Sequence, residues 1–450
     1  MTKTRTKRST IEARSGSRPR PRSLGLIPMG VKATNFFATC PKNLEGLLEK
    51  ELISLGAQNT KQTVAGVKFV GDLALAYHAC LWSRLANRIL LPLAEFSAEN
   101  ADALYEGIRR VKWLEHLHPD NSLIVDFAGV SQEINNSHFG ALKVKDAIVD
   151  QIRELTGKRP NIDKENPDMR INVYLYHDVA TVSIDLSGES LHRRGYRINP
   201  GAAPLKENLA AAILYRSNWP EFALQGKPLF DPMCGSGTIL IEAAMIAQDY
   251  APGLLRKSFG FNKWLNHDRG VWKKIWDEAV ERRKQGAQNF KAAVCGCDSD
   301  QKAISIAEEH INNAGLSKVI KIKVGEVGQI APSDFHIDQP GIVVTNPPYG
   351  KRLHDEDGED LSGLYRDFGA VLRRNFLNWD VAMLTGEPEF GKTMGIRSHK
   401  QYSFFNGTIP CKLLLFHVAL EMFWREYKGG KKGSDPFLGL TPFSTCHPRA

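Results

Sequence analysis

Short apolar runs alternate with segments of helical spacing across residues 225–420, and this constrains the fold more than any other feature. Leu229–Met233, Ala292–Cys297, Val319–Val324, Ile342–Thr345 and Val381–Leu384 have strand length. Helical patterns at Thr238–Ala247, Gln301–Asn313 and Leu361–Arg373 fall between them. Strands that alternate with helices build a mostly parallel, doubly wound sheet. The last piece breaks the pattern: Tyr402–Phe405 and Ile409–Val418 flank Asn406-Gly407, the signature of an antiparallel hairpin with a primed turn.

In such sheets ligands bind beyond the carboxyl ends of the strands, so the residues there matter most. Asp231-Pro-Met-Cys-Gly-Ser-Gly-Thr238 joins the first strand to its helix. Gly235 and Gly237 permit a tight turn and a close backbone approach. Cys234, Ser236 and Thr238 complete the loop, and the helix start offers free N–H groups to an anion. The carboxylate of Asp231 can take a cationic amino group. The G-x-G-x-x-G pattern of dinucleotide sites is absent. After the second strand stands Asp298, whose carboxylate suits a ribose diol. Asp300 suits a helix cap. Glu326 follows the third strand, where it can accept a hydrogen bond from an adenine amine. Asp298 lies 67 residues after Asp231, against about 20 in a simple unit of this type. The excess is an inserted element, Tyr250–Phe290, with Trp264, Trp272, Trp276 and the basic run Arg282-Arg283-Lys284. It either shapes a substrate cleft or covers the sheet.

Asn346-Pro-Pro-Tyr349, then Gly350, ends the fourth strand. Pro347 and Pro348 fix the backbone. The Asn346 side-chain oxygen and the Pro347 carbonyl can together accept both hydrogens of an –NH₂ group. That frees the nitrogen lone pair and stabilises the positive charge that grows during methyl transfer. Tyr349 can stack on a base plane. The parallel sheet with its terminal hairpin has the outline of a class I methyltransferase.

Upstream, residues 32–190 read as a mixed α/β region. Its expected elements are strands Asn35–Thr39, Val64–Val70 and Leu123–Phe127, helices through Leu44–Leu52, Leu73–Ala86 and Gly140–Leu155, and a hairpin of Ile171–Leu175 with Ala180–Leu186. Lys143 and Lys145 are placed at the start of the third helix, where they are either phosphate contacts or solvated lysines. Residues 191–224 form a linker with a helix, 225–420 the methyltransferase unit, and 421–450 a polar tail with a Gly/Lys-rich start.

Residues 1–28 carry eight Lys/Arg and one acid, which is seven of the nine net positive charges. The basic 1–31 tail reads as disordered and suited to nonspecific phosphate contact. Translation starting at Met29 and a transit-like peptide are the other readings. Cys40, Cys80, Cys234, Cys295, Cys297, Cys411 and Cys446 are scattered. Cys295 and Cys297 share a strand face, and no second pair lies near to complete a zinc site, so no metal is expected. Reduced thiols, no apolar run of membrane length and no signal peptide give a cytoplasmic expectation.

Asp231–Thr238 and Asn346–Gly350 resemble the motifs of class I amino-methyltransferases. Residues 35–57, 82–93, 137–150, LHRRGYR at 191–197 and APLKENLAAA at 203–212 extend the likeness over about 33–420. The whole resembles the bacterial 23S ribosomal RNA guanine-N2 methyltransferases with a THUMP domain. The resemblance implies a ferredoxin-like plus THUMP RNA-binding half, S-adenosylmethionine as cofactor, and a guanine in 23S rRNA or a large-subunit assembly intermediate as substrate. It assigns Asp231, Gly235 and Gly237 to the methionine part of the cofactor. Asp298 takes its ribose, Glu326 its adenine, and Asn346, Pro347 and Tyr349 the flipped base. The family usually has Asp where Glu326 stands. Some members continue into a second half that makes 7-methylguanine, an activity not expected of these 450 residues. The rival readings are a tRNA guanine-N2 methyltransferase and an RNA-binding ribosome-assembly factor without turnover. Enzymes that methylate adenine N6 or a glutamine amide share the NPPY motif.

Overall fold

The computed structural model describes residues 33–197, 205–349 and 361–420. The basic tail with Met29, residues 421–450 with Cys446, Gly350, and Ala203 and Pro204 of the APLKENLAAA block lie outside them.

The first sheet has eight strands: β1 (Thr34–Thr39), β2 (Gln58–Thr63), β3 (Gly66–Gly71), β4 (Arg88–Ser97), β5 (Ser122–Ala128), β6 (Asn161–Ile162), β7 (Met169–Tyr176) and β8 (Val179–Asp185). Their order is β2-β3-β1-β4-β8-β7-β5-β6. The long β4 makes this one sheet, because its first residues, Arg88–Leu90, pair with β1 and Leu90–Ser97 pair with β8 on the other edge. The expected strand Val64–Val70 is instead the second arm of a hairpin. Val64 and Ala65 form its turn, with Ala65 at φ 59°. Its first arm, QNTKQT, has no apolar residue and no buried one, so period-two patterning could not reveal it. The helix begun at Leu73 stops at Trp82, short of Ala86. There the Glu51 carboxylate accepts Ser83 Oγ at 2.5 Å and the Arg84 N–H at 2.9 Å. Glu51 is thus half-buried against the end of this helix, and its desolvation raises its pKa. The helix expected from Gly140 begins at Ser137, capped by Asn136.

The second sheet comprises β9 (Leu229–Asp231), β10 (Val294–Asp298), β11 (Ile320–Val324), β12 (Ile342–Thr345), β13 (Asp380–Thr385), β14 (Lys400–Asn406) and β15 (Ile409–His417). The order is β11-β10-β9-β12-β13-β15-β14, parallel except around β15. This is the class I methyltransferase topology. Asn406 pairs with Ile409, so the hairpin turn is Gly407-Thr408, with Gly407 at φ 65°. Cys295 and Cys297 do face one side, in a core layer with Phe230 and Phe376.

The Tyr250–Phe290 insertion clamps the two halves together. Its principal helix, Arg269–Asn289, follows a loop in which Phe261 packs on Tyr77 of the Leu73–Trp82 helix (centroids 4.5 Å apart). Tyr77 Oη meets His267 Nδ1 at 2.7 Å and accepts the Asp268 N–H at 2.9 Å. Asn266 donates to the Glu115 carbonyl, and the Arg282 guanidinium lies 3.7 Å above the Trp82 ring. A second tie crosses the core. Arg194 pairs with Glu242 at 3.2 Å, both almost fully buried, and donates to the Arg84 carbonyl at 2.6 Å. Arg84 in turn donates to the Met245 and Tyr250 carbonyls.

Candidate active site

The carboxyl edge of the second sheet brings the motif residues together. Gly296 of β10 is in register with Asp231, so Asp298 lies two residues further out on the neighbouring strand. Val343 of β12 is in register with Phe230, which puts Asn346 beyond the same edge on the other side. Asp298 is in register with Val324, and Glu326 follows it.

The glycine turn is held from below. Cys234 N–H donates to the Cys297 carbonyl at 2.9 Å, and Gly235 N–H donates to Asp298 Oδ2 at 2.8 Å. Asp298 Oδ1 accepts the Asp300 N–H at 3.1 Å, so each Asp298 oxygen already holds one N–H and retains a lone pair. Asp300 caps the next helix through the Lys302 N–H. The two glycines do different things. At Gly235 (φ 51°) a Cβ would meet nothing within 4 Å, so the turn presents bare backbone to open space. At Gly237 (φ 78°) a Cβ would lie 3.2 Å from the Ala307 Cβ, so glycine here admits the helix Gln301–Asn313. Ser236 offers its carbonyl to the buried His310 Nδ1 at 3.1 Å. Thr238 is buried, and its hydroxyl accepts from Arg197, which also donates to the Leu205 carbonyl and pairs with Glu207. The Cys234 thiol is buried, and burial beside Asp231 and Asp298 pushes its pKa well above the usual range.

Asp231 is 1% exposed. Burial raises its pKa to about 7, against the opposing effects of the Thr345 hydroxyl and the Met233 N–H; the nearby charge of Asp298 adds to the rise. Glu326 is exposed, and its carbonyl accepts from the Gln329 N–H at the start of a single turn.

In the NPPY segment the Asn346 Oδ1 is buried and has no hydrogen-bond partner. The Pro348 carbonyl is taken by Tyr365 Oη at 3.2 Å. Tyr349 is half-buried. Its hydroxyl accepts Asn406 Nδ2 at 3.0 Å and the Cys411 thiol at 3.5 Å, and a Cβ on Gly386 would come within 2.7 Å of its ring. Burial pushes its phenol above the usual range. The ring is therefore pinned between β13 and the terminal hairpin.

Lys143 and Lys145 are remote from this edge in the fold. Because their helix begins at Ser137, they sit in its second and third turns rather than at its N-terminus. Lys143 lies 3.5 Å from Asp102, and Lys145 2.6 Å from Asp146. His310, Arg197, Tyr365, Asn406 and Cys411 escaped sequence reasoning. Each is a single polar residue in an otherwise ordinary element, and its partner is distant in sequence. Among the described residues no His/Cys/Asp/Glu cluster could hold a metal ion, and no helix is long and apolar enough to cross a membrane.

Comparison with known proteins follows the same architecture. Residues 35–90 match the RlmL ferredoxin-like domain, 98–185 the THUMP domain, and 194–414 the RMKL-like methyltransferase domain. The ribosomal RNA large subunit methyltransferase K/L of Cellvibrio japonicus is 51% identical over 389 residues, 86% of this chain and 52% of the relative. Its Pseudomonas fluorescens counterpart is 51% identical over 387 residues, 86% of this chain and 51% of the relative. The chain thus spans about half the length of these curated relatives. The crystal structure of SMU.472 complexed with SAH superposes with a TM-score of 0.75 at 31% identity, covering 86% of this chain and 98% of that one. A protein described as a predicted N6-adenine-specific DNA methylase from Listeria monocytogenes superposes at 0.73 with 32% identity, covering 86% and 96%. With solved relatives covered nearly end to end and three family models matched in succession along it, the chain belongs to the RMKL-like methyltransferase family, with ferredoxin-like and THUMP domains ahead of the methyltransferase domain.

Proposed function

We propose that this chain transfers a methyl group from S-adenosylmethionine to the exocyclic N2 amine of a guanine in 23S rRNA, free or in a large-subunit assembly intermediate, in the cytoplasm. The observation that carries the chemistry is the buried, unpartnered Asn346 Oδ1 beyond β12. A buried acceptor without a donor costs about 1–3 kcal/mol, and an entering –NH₂ group removes that cost.

The residues present fit the cofactor. Gly235 leaves the room that a ligand lying on its backbone needs, and the lone pairs left on Asp298 suit a diol. Asp231, Cys234, Gly235, Ser236, Gly237 and Thr238 would hold the methionine end, Asp298 the ribose and Glu326 the adenine, with Asn346 at the junction with the substrate. Bound there, S-adenosylmethionine supplies a sulfonium methyl to an attacking nitrogen. The chain's own part is positioning and charge stabilisation. Asn346 Oδ1 and the Pro347 carbonyl accept the two amine hydrogens. Pro348 is anchored through Tyr365, and the pinned Tyr349 ring offers a face to the base. No base is needed before transfer, because the amine proton becomes acidic only afterwards. The target guanine must leave its stack, at about a few kcal/mol, less in a loop.

The RNA assignment draws on the THUMP region and on the rRNA named for the relatives. Residues 32–190 serve as the RNA-binding half, with Lys143 and Lys145 among its phosphate contacts, 191–224 as linker and 225–420 as the catalytic unit. The test is labelled-methyl transfer to 23S rRNA, 16S rRNA and tRNA separately, with nucleoside analysis. N2-methylguanosine in 23S rRNA alone is expected. The same product in tRNA overturns the substrate, and no transfer to any of them overturns the reading.

A further inference from the structure

The Tyr250–Phe290 insertion carries a cleft that the clamp does not account for. It measures about 360 Å³ and is lined by Phe259, Trp272, Trp276, Arg256, Lys257 and Asn262, among others. Trp272 and Trp276 are one helical turn apart on the same face, their rings 5.6 Å apart. The Phe259 ring meets Trp272 edge-on at 5.2 Å. Trp272 and Trp276 thus remain partly open to solvent over the buried Phe259 ring, on a surface where packing would ordinarily have closed them.

The rim is basic. Lys257 is exposed and makes no ion pair among the described residues. Lys273 pairs with Asp277 one turn on. Arg256 stacks its guanidinium 5.1 Å over Phe259 and donates to the carbonyls of Ser187, Glu189, Ser190 and Arg193, all neutral acceptors. It has no carboxylate partner among the described residues, and its Nε is buried without an acceptor. Its four Nη hydrogens are thus already taken, and its charge reaches the cleft as a positive field behind Phe259 rather than as a direct donor. Aromatic planes beside an unpaired lysine are what a single-stranded nucleotide needs: a surface for the base and a counter-charge for the phosphate. A cleft of this volume is at the small end of ligand sites, enough for one nucleotide. Its position fits as well, since the four carbonyls that hold Arg256 belong to the segment joining the two halves.

We propose that this cleft is a second RNA-contact site, which seats one nucleotide of the substrate strand away from Asn346, its base against Trp272 and Trp276 and its phosphate against Lys257. The proposal rests on the reading that the substrate is RNA.

The test uses the full chain and three variants, Lys257→Glu, Trp276→Ala and Trp276→Phe. Affinity for a fluorescein-labelled single-stranded oligoribonucleotide is read by anisotropy across a salt series, S-adenosylmethionine binding by calorimetry, and methyl transfer by kcat and KM for 23S rRNA. Trp276→Ala is expected to weaken oligonucleotide binding about tenfold, whereas Trp276→Phe keeps most of it, which separates stacking from folding. Lys257→Glu, on an exposed side chain, is expected to weaken binding comparably and to lower the salt slope by about 0.7. In both weakened variants KM for RNA rises while kcat and cofactor binding stay at the parent level. Unchanged oligonucleotide affinity and KM in Trp276→Ala and Lys257→Glu overturn the proposal, as does selective binding of poly-glutamate in place of RNA. A parent protein that binds the oligonucleotide through this cleft yet transfers no methyl group would sink the proposed function and leave the cleft standing.

Discussion

Asp231 is the residue whose protonation the fold perturbs in the most consequential place. Its carboxyl is buried, and burial raises its pKa from 3.8 to about 7. Below about pH 4 the group is protonated in folded and unfolded chains alike and contributes nothing to pH dependence. Between pH 4 and 7 the unfolded chain gives up the proton while the folded chain keeps it, so this residue's contribution to stability falls as pH rises. Above pH 7 the folded carboxylate is ionised in a desolvated site and the full penalty applies, about 4 kcal/mol at 1.36 kcal/mol per pKa unit. The penalty grows by about 2 kcal/mol between pH 5.5 and pH 8. Asp231→Asn removes the ionisation and keeps the shape. Urea unfolding of parent and variant at the two pH values, without cofactor, is therefore expected to show the variant gaining about 2 kcal/mol more on the parent at pH 8 than at pH 5.5. A difference that is the same at both pH values would mean that the carboxyl is already ionised at pH 5.5, and the argument from burial would fail. The variant is also expected to bind S-adenosylmethionine at least about tenfold more weakly by calorimetry, since it lacks the charge to hold a cationic amino group.

Asn346→Ala should retain cofactor binding and lose methyl transfer by about 10²-fold or more, and near-normal turnover in that variant would disprove the proposed use of the orphaned oxygen. Gly235→Ala places a methyl in the space above the turn at φ 51°; it should cost about 1 kcal/mol in an unfolding titration yet abolish detectable cofactor binding. Arg194→Ala leaves Glu242 buried without its partner and should lower stability by about 3–5 kcal/mol in the same titration, with a loss under 1 kcal/mol contradicting the description of a buried pair. Replacing Lys143 and Lys145 together with Ala should reduce the salt slope of rRNA binding by one to two phosphate contacts, and an unchanged slope would remove both lysines from the RNA interface.

The catalytic half was legible because its burial is two-sided. Strands covered on both faces read as unbroken apolar runs, and the helices Thr238–Ala247 and Gln301–Asn313 and the strand Ile342–Thr345 have the bounds their sequence implies. The first half was less so. The edge strand Gln58–Thr63 buries nothing, and Arg88–Ser97 is flanked by β1 only over its first three residues, with burial fading along the rest, so neither presents a single clean period. The helix Ala101–Arg109 was missed although Asn100 caps it and Leu104 and Ile108 are its buried stripe, which is the expected signal in a short element. At the site, the strand-end positions of Asp231, Asp298 and Asn346 could be read from order alone. What could not be read was support from a distance: His310 under Ser236, Arg197 on Thr238, Asn406 and Cys411 on Tyr349. The insertion was legible as an insertion but not as a clamp, because its aromatic partners lie more than 180 residues upstream.

The helix Thr238–Ala247 shows why these supports belong to function as well as to folding. Its sequence, TILIEAAMIA, is apolar on every side save for Glu242, and eight of its ten residues are buried. A solvent-facing helix of ten residues would have a polar stripe. This one has none because both its surroundings are protein: its first turn closes the glycine loop at the sheet edge, and its middle meets the other half of the chain. Glu242 pairs with Arg194 of the linker, which donates to the Arg84 carbonyl of the first half, and the carbonyl of Met245, three residues further on, receives Arg84 itself. At about 1.5 Å per residue, only some 6–10 Å separates the end that shapes the candidate cofactor site from the residues that tie down the first half of the chain. The lone acid in an apolar helix, unremarkable in sequence, is the point at which the two halves of the chain meet the candidate site.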